Sequence, residues 1–180
     1  VVDEFMKLKK EDSTLYYIKR AAKNESKKML KARYLFLTGQ LFESIKEKDS
    51  AQWAYKQIID LNRKAPRKFF VQALLKQNLL DTSLAYSYHI GSLEKMLKNY
   101  ENDPYEHFIY RALAELYFKQ KKDSIGLSYL ENSLKSVSLD SYTKIENIKF
   151  LADYHLKKGN YVVSGGFLDK LLKIDRKSVV

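Results

Sequence analysis

His89, His107 and His155 are the three imidazoles in 180 residues, and the chain has no cysteine. Hydrolytic or metal chemistry needs such groups gathered with carboxylates at ligand spacing. Along this sequence they are scattered, each in a different segment, and Asp153, two residues from His155, falls on a different helical face. The lack of cysteine excludes disulfides and thiolate metal sites without assigning a compartment. The stretch GNYVVSGG, Gly159 to Gly166, has the glycine content of a phosphate loop, yet it lacks the Gly-Lys-Ser/Thr ending and follows a helix where a strand is required. It reads better as a helix stop at Gly159, with Gly165 and Gly166 inside a tightly packed helix that each weakens by about 1 kcal/mol. We expect no enzyme, no catalytic or metal-binding residue and no cofactor.

Fourteen tyrosines and a net charge of +11 raise the possibility of a stacking, nucleic-acid-binding surface. Tyr55, Tyr110, Tyr117 and Tyr129 recur at helical spacing, and most tyrosines are expected in the core, with Tyr100 and Tyr105, around ENDP, as the exceptions. The charge is uneven: Val1–Tyr34 carries 10 basic and 5 acidic residues, whereas Val71–Glu106 carries 3 basic and 5 acidic. Lysines dispersed in KLKKED, KNESKK and KQKKDS suit a solvated surface better than a groove reader, so nucleic acid is not the expected partner. Charges every few positions in VVDEFMKLKKEDST also exclude a signal peptide or a span there. The start at Val1 and the end at Val180 suggest an internal piece of a longer protein.

The elements that must position these residues are helices. Two prolines and six glycines are too few for the turns of a sheet, and a 45% apolar content is enough for a packed core. Small residues recur in pairs 12 apart: Gly39 with Ala51, Ala73 with Ala85, Ala114 with Gly126, and Ala152 with Ser164. Successive pairs are offset by 34, 41 and 38 residues. Phe42 and Tyr55 add the aromatic positions of the first copy and Tyr117 that of the third. Small residues let two antiparallel helices approach closely while an aromatic fills the space beside them. These positions are structural by expectation; a large side chain at Ala51 or Ala114 would cost about 1–3 kcal/mol.

This spacing resembles the tetratricopeptide repeat over Lys31 to Lys177, with Leu35, Phe69, Tyr110 and Ile148 at the consensus tryptophan position. The resemblance implies an all-α solenoid of about four antiparallel helix pairs in a right-handed superhelix. The units are about 32–65, 66–106, 107–144 and 145–178, forming an array over 25–180. Residues 1–24 are a partial N-terminal repeat or capping helix: STLYYIKRAAKN places Leu15, Tyr16, Ile18 and Ala22 on one side, and a continuous helix then starts near Glu25.

The phrase DLNRKAPR, with Asn62, Arg63 and Pro66, and the run from LEKMLKNYENDPYEHF onward are similar to the repeat region of the Bacteroidetes outer-membrane lipoproteins that serve gliding motility and type IX protein secretion. That similarity implies a periplasmic scaffold that contacts translocon or motor subunits and is held to the membrane through a lipid anchor outside this stretch. The alternative is a general peptide-binding or chaperone-like adaptor unrelated to secretion.

In such repeats, function lies on the concave surface lined by first helices. The resemblance places there Arg33, Phe36 and Gln40, with Glu43; Arg67, Phe70 and Leu74, with Gln77; Phe108, Arg111, Glu115 and Phe118; and Lys149, with Glu146, Asp153 and Leu156. A row of cations beside phenylalanines would hold an acidic, apolar protein segment. The other reading is that the phenylalanines pack against neighbouring units and the cations are solvated. On the first reading, Arg67→Glu with Arg111→Glu abolishes binding and spares helicity.

Overall fold

The computed structural model describes residues 11–178, with side chains over 13–174. Residues 1–10 of the expected N-terminal partial repeat, and 179–180, lie outside the described residues. Every regular element described is helical, and the fold is an all-α, tetratricopeptide-like solenoid of paired antiparallel helices. The chain forms two compact units, Val1–Met96 and Leu97–Val180.

In the first unit, α1 (Glu11–Asn24), α2 (Lys28–Ser44), α3 (Lys48–Asp60) and α4 (Arg67–Leu80) each pack on the next, and α5 (Tyr86–Leu97) follows. The helix expected from Glu25 begins at Lys28, because the Glu25 carboxylate takes the Lys27 backbone N–H at 2.8 Å and holds the loop open. The α1 face is also revised: Ile18 and Ala22 are buried, but Tyr16 turns outward and is 59% exposed. Core residues Leu35, Phe42, Ala51, Tyr55, Ile58 and Ala73 join α2, α3 and α4. Asn62, at φ 50, ends α3 in the left-handed region that asparagine tolerates. Pro66 then sits at the N-cap of α4, which accounts for the DLNRKAPR phrase as a helix stop and start.

The second unit contains α6 (Glu106–Lys119), α7 (Asp123–Lys135), α8 (Ser141–Lys157) and α9 (Tyr161–Ser178), preceded by a 3₁₀ segment over Tyr100–Tyr105. Pairs α6–α7 and α8–α9 make close approaches, and α8 also touches α6 and α7. Ala114, Leu130 and Leu151 centre the core, with Phe118, Phe150 and Phe167 packed on it.

Three pairs, α2–α3, α6–α7 and α8–α9, are closed by the same three-residue turn. Its middle residue is left-handed: Lys46 at φ 65, Lys121 at φ 59 and Gly159 at φ 76. In each, the next residue's N–H reaches back to the carbonyl five before it, Glu47 to Phe42 at 2.8 Å, Lys122 to Tyr117 at 3.0 Å and Asn160 to His155 at 2.9 Å. The left-handed residue itself bonds three back, to Glu43, Phe118 and Leu156. This Schellman geometry satisfies the last carbonyls of the first helix and fixes where the second begins. The 12-residue spacing follows from it.

The α4–α5 pair breaks the pattern. Its connection runs five residues, Asp81–Ala85, and Asp81 is extended, with its carboxylate taking the Ser83 N–H at 2.8 Å. Ala85 is therefore exposed and outside the helix, so its 12-residue match to Ala73 is coincidental. Ala73 is fully buried against the α2–α3 core instead. At the fourth position of α5, where the other second helices have Ala51, Gly126 and Ser164, stands His89, bonded through Nδ1 to Asn78 Oδ1 at 3.2 Å. With a histidine there, α4 and α5 do not reach the close backbone approach of the other three pairs.

The small residues differ in how tightly they are used. A Cβ on Gly39 would lie 2.6 Å from the Tyr55 ring, and one on Gly126 would lie 3.0 Å from Phe118. Gly165 and Gly166 have nothing within 4 Å of a built Cβ, which overturns their expected tight packing. Gly39→Ala should therefore cost about 1–3 kcal/mol by overpacking, whereas Gly91→Ala, in the open interior of α5, should gain about 0.5–1 kcal/mol from helix propensity. Urea denaturation of the two variants checks the opposite signs. At the turns, Lys46→Gly and Lys121→Gly should each stabilise by about 0.5–1 kcal/mol by relieving left-handed strain, read as a rise in the urea midpoint.

Candidate interaction surface and buried polar clusters

The expected concave residues divide into two groups. Arg33, Gln40 and Lys149 are exposed, and Arg67, Phe70, Leu74 and Phe108 are half-buried. Arg67 stands over the Phe70 ring at 5.3 Å, a cation–π contact. The remaining members are built into packing. Phe36 is buried, with its ring 5.6 Å from Tyr55 and 5.7 Å from Phe69. Phe118 lies 4.9 Å from Phe150 and 5.8 Å from Tyr154 of α8. For both, the reading in which phenylalanine packs against the neighbouring repeat is the one observed.

Arg111 is likewise engaged. Its guanidinium donates to Asn147 Oδ1 across to α8 and pairs with Glu115, one turn on, at 3.4 Å. Asn147 is fully buried; its amide donates to Ser133 Oγ at 2.8 Å, and that hydroxyl donates to the His107 carbonyl at 2.7 Å. One polar chain therefore ties α6, α7 and α8, and a buried polar group is stable only when so satisfied. In the first unit Glu43 has the same role. It accepts from the Tyr55 hydroxyl of α3 and from Lys76 of α4 at 2.9 Å. Burial, and then the Glu43 carboxylate, push the Tyr55 phenol above its ordinary pKa. Gln77 donates to the Gln52 carbonyl at 2.6 Å, which removes it from the candidate surface as well.

His107 shows what the structure gathers from distant segments. Its Nε2 lies 3.0 Å from Asp140 Oδ2 and its Nδ1 lies 3.1 Å from Ser138 Oγ. A serine, a histidine and an aspartate in contact suggest nucleophilic catalysis. Yet the ring is buried, and Ser138 Oγ is shared with Ser136 at 3.1 Å and faces the Asp103 carbonyl at 3.3 Å. Asp140 is also the N-cap of α8, accepting from the Thr143 N–H at 2.9 Å and hydroxyl at 2.7 Å. The cluster closes the end of α6 over the 136–140 loop. Partial burial opposes ionisation of Asp140, but the Thr143 and His107 bonds outweigh it and hold the carboxyl below its usual range. Among the described residues, no group of three or more His, Cys, Asp or Glu could hold a metal ion. Sequence spacing could not find this cluster, because His107 lies 31 residues from Ser138 and 33 from Asp140.

Six tyrosines are at the surface, contrary to the expected core role: Tyr16, Tyr17, Tyr86, Tyr88, Tyr142 and Tyr161 are exposed; of the two expected exceptions, Tyr100 is exposed and Tyr105 is half-buried. Tyr55 is buried, and Tyr117 stacks on Tyr129 at 5.4 Å. No described helix is long and apolar enough to cross a membrane.

The chain matches no protein-family model and no curated protein. Solved structures do share its fold. MamA, residue 41 to the end, from Desulfovibrio magneticus RS-1 superposes at a TM-score of 0.54 with 14% identity, covering 98% of this chain and 92% of that one. The MamA RS-1 ArsTM double mutant gives 0.53 at 12% identity, covering 98% and 92%. A further MamA crystal structure gives 0.53 at 14% identity, covering 99% and 96%.

Two outcomes follow from the polar clusters. Arg111→Glu should put a carboxylate beside Glu115 and strip buried Asn147 of its donor, costing about 1–3 kcal/mol; circular dichroism during thermal unfolding reads the loss. Asp140, depressed in the folded state, contributes stability above the unfolded carboxylate range that disappears as pH falls through its lower folded value. The stability gap between the parent chain and Asp140→Asn should therefore narrow from pH 7 to below about pH 4, as measured by urea titrations across that range.

Proposed function

We propose that this chain is a non-catalytic, protein-interaction repeat module that recognises short segments of other proteins. The observation that carries this reading is the exposure of large apolar side chains on helices of both units, Tyr16, Trp53 and Tyr88 in the first and Tyr142, Val162 and Leu172 in the second. Side chains able to do chemistry, His107, Asp140 and Ser138 among them, are spent on helix caps and packing. The tetratricopeptide-like fold supports an adaptor role by analogy of architecture. On the face inferred from sequence, Arg33, Gln40, Arg67, Phe70, Leu74, Phe108 and Lys149 remain the candidate contacts.

The narrower setting, an envelope component of type IX secretion and gliding motility, is supported by the DLNRKAPR phrase and its continuation. It calls for translocon or motility proteins to co-isolate with the chain from a Bacteroidetes envelope.

The test of the module itself is selection of a random-peptide display library against the folded chain, followed by calorimetry with synthetic peptides. Recovery of short sequence-related segments, whose binding falls when exposed residues are changed while helicity is kept, is the expected result. A library that yields no specific binder would sink it.

A further inference from the structure

The first unit contains a cleft of about 690 Å³ that none of the sequence-derived contacts predicts. It lies over α2, between α1 and α3. Leu15, Ala22 and Leu35 give it an apolar floor, and Tyr16 and Trp53 stand at its edge. Trp53 is 50% exposed, an unusual place for the most apolar-surfaced side chain in the protein. Four cations surround the floor, Lys19, Arg20 and Lys23 from α1 and Lys31 from α2, and among the described residues no carboxylate lines it. Lys19 is held over the Phe42 ring at 5.4 Å. Among the described residues, Arg20, Lys23 and Lys31 have no ion-pair partner. Thr38 at the cleft spends its hydroxyl on the Tyr34 carbonyl at 2.8 Å. With about 3.6 residues per turn, Arg33 and Gln40 fall on the opposite side of α2 from Leu35 and Thr38. The cleft is thus separate from the concave face.

We infer that this cleft is the docking site for an acidic amphipathic segment of a partner protein, which seats aromatic or aliphatic side chains on Leu15, Ala22 and Leu35 against Trp53 and directs carboxylates to Arg20, Lys23 and Lys31. The charge complement selects the occupant. An apolar floor accepts any hydrophobic side chain, but Arg20, Lys23 and Lys31, without an ion-pair partner among the described residues, repel a basic segment and attract an acidic one. The exposed tryptophan and tyrosine are side chains of the kind that dominate binding energy once a partner desolvates them. A floor of aliphatic carbons favours side-chain insertion over the base stacking that a nucleic acid would need. This inference rests on the peptide-recognition reading above and adds the site and the chemistry of the segment.

Trp53 is the single tryptophan, so its emission reports the cleft directly. The probe is the acetylated peptide Glu-Asp-Phe-Leu-Glu-Asp-Leu-Phe, with a control in which every acid is lysine, titrated into the full chain at moderate salt. The acidic peptide should shift Trp53 emission to the blue and the lysine peptide should not. Arg20→Glu with Lys23→Glu should weaken binding by about tenfold or more, and the neutral Arg20→Gln, Lys23→Gln pair by less. Both pairs change exposed side chains, and circular dichroism confirms the fold. Lys95→Glu, an exposed position of α5 outside the cleft, should leave the affinity unchanged.

Acidic-peptide binding that responds to Arg33→Glu and ignores the α1 variants would overturn the cleft while leaving peptide recognition standing. No Trp53 response to the acidic peptide would also overturn the cleft; peptide recognition falls only if the display selection yields nothing either. Displacement of the peptide by a thymidine oligonucleotide of higher affinity would make the site a nucleic-acid one. A blue shift that grows with protein concentration alone, with a doubled mass by light scattering, would make a second copy the occupant.

Discussion

A left-handed residue closes three of the helix pairs, at Lys46, Lys121 and Gly159, and the packing of both units depends on it. Because the turn fixes the second helix's start relative to the first helix's end, it fixes which side chains meet across the pair. Gly39 can then face Tyr55, Gly126 can face Phe118, and the Ser164 hydroxyl can reach the Ala152 carbonyl at 2.9 Å. The backbone requirement is common to all three; the means of meeting it is local. Gly159 adopts the conformation freely, while the two lysines adopt it against their preference, held by the paired back-bonds of the turn.

Once helices are brought that close, polar groups between them must be paired, and this explains where the chemistry-bearing residues went. Arg111, Asn147, Ser133 and the His107 carbonyl form one continuous path, and Tyr55, Glu43 and Lys76 form another. Neither path includes a residue that lines the cleft between α1 and α3. A Ser-His-Asp contact around a buried histidine is thus compatible with a purely architectural role: His107 is oriented by Asp140 and Ser138, but what it orients is the loop that starts α8.

Much of the fold could be read from the sequence because the turn imposes a constant interval. Gly39–Ala51, Ala114–Gly126 and Ala152–Ser164 are true pairs for that physical reason. Ala73–Ala85 shares the interval by chance, since a five-residue connection anchored by Asp81 shifts the register by one helical turn and leaves His89 in the packing position. For Phe36 and Phe118 the resemblance leaves a binding face and packing against the neighbouring repeat both open, and only the structure shows the neighbouring rings that cover them. The exposure of six tyrosines on helices is not legible for the complementary reason: helical spacing places a residue on a face but does not say whether that face is covered. The cleft could not be read at all. Its walls come from three helices, with Leu15 and Trp53 nearly forty positions apart, and no periodicity connects them.

The closing turns also bear on how the chain acquires its structure. Each one joins helices whose contacts begin within a dozen residues, so most of the loop entropy of folding is spent on short closures, which form on sub-microsecond scales for about ten residues. Assembly can then proceed from several starting points, each a helical hairpin with its own stop signal. The exception is α4–α5: without a left-handed closure or a small-residue crossing, it has the least to gain from its local sequence. What holds α4 comes instead from α3, through Ala73 and the Gln77–Gln52 bond. The chain thus contains fast local nuclei on either side of a segment whose folding waits on its neighbours.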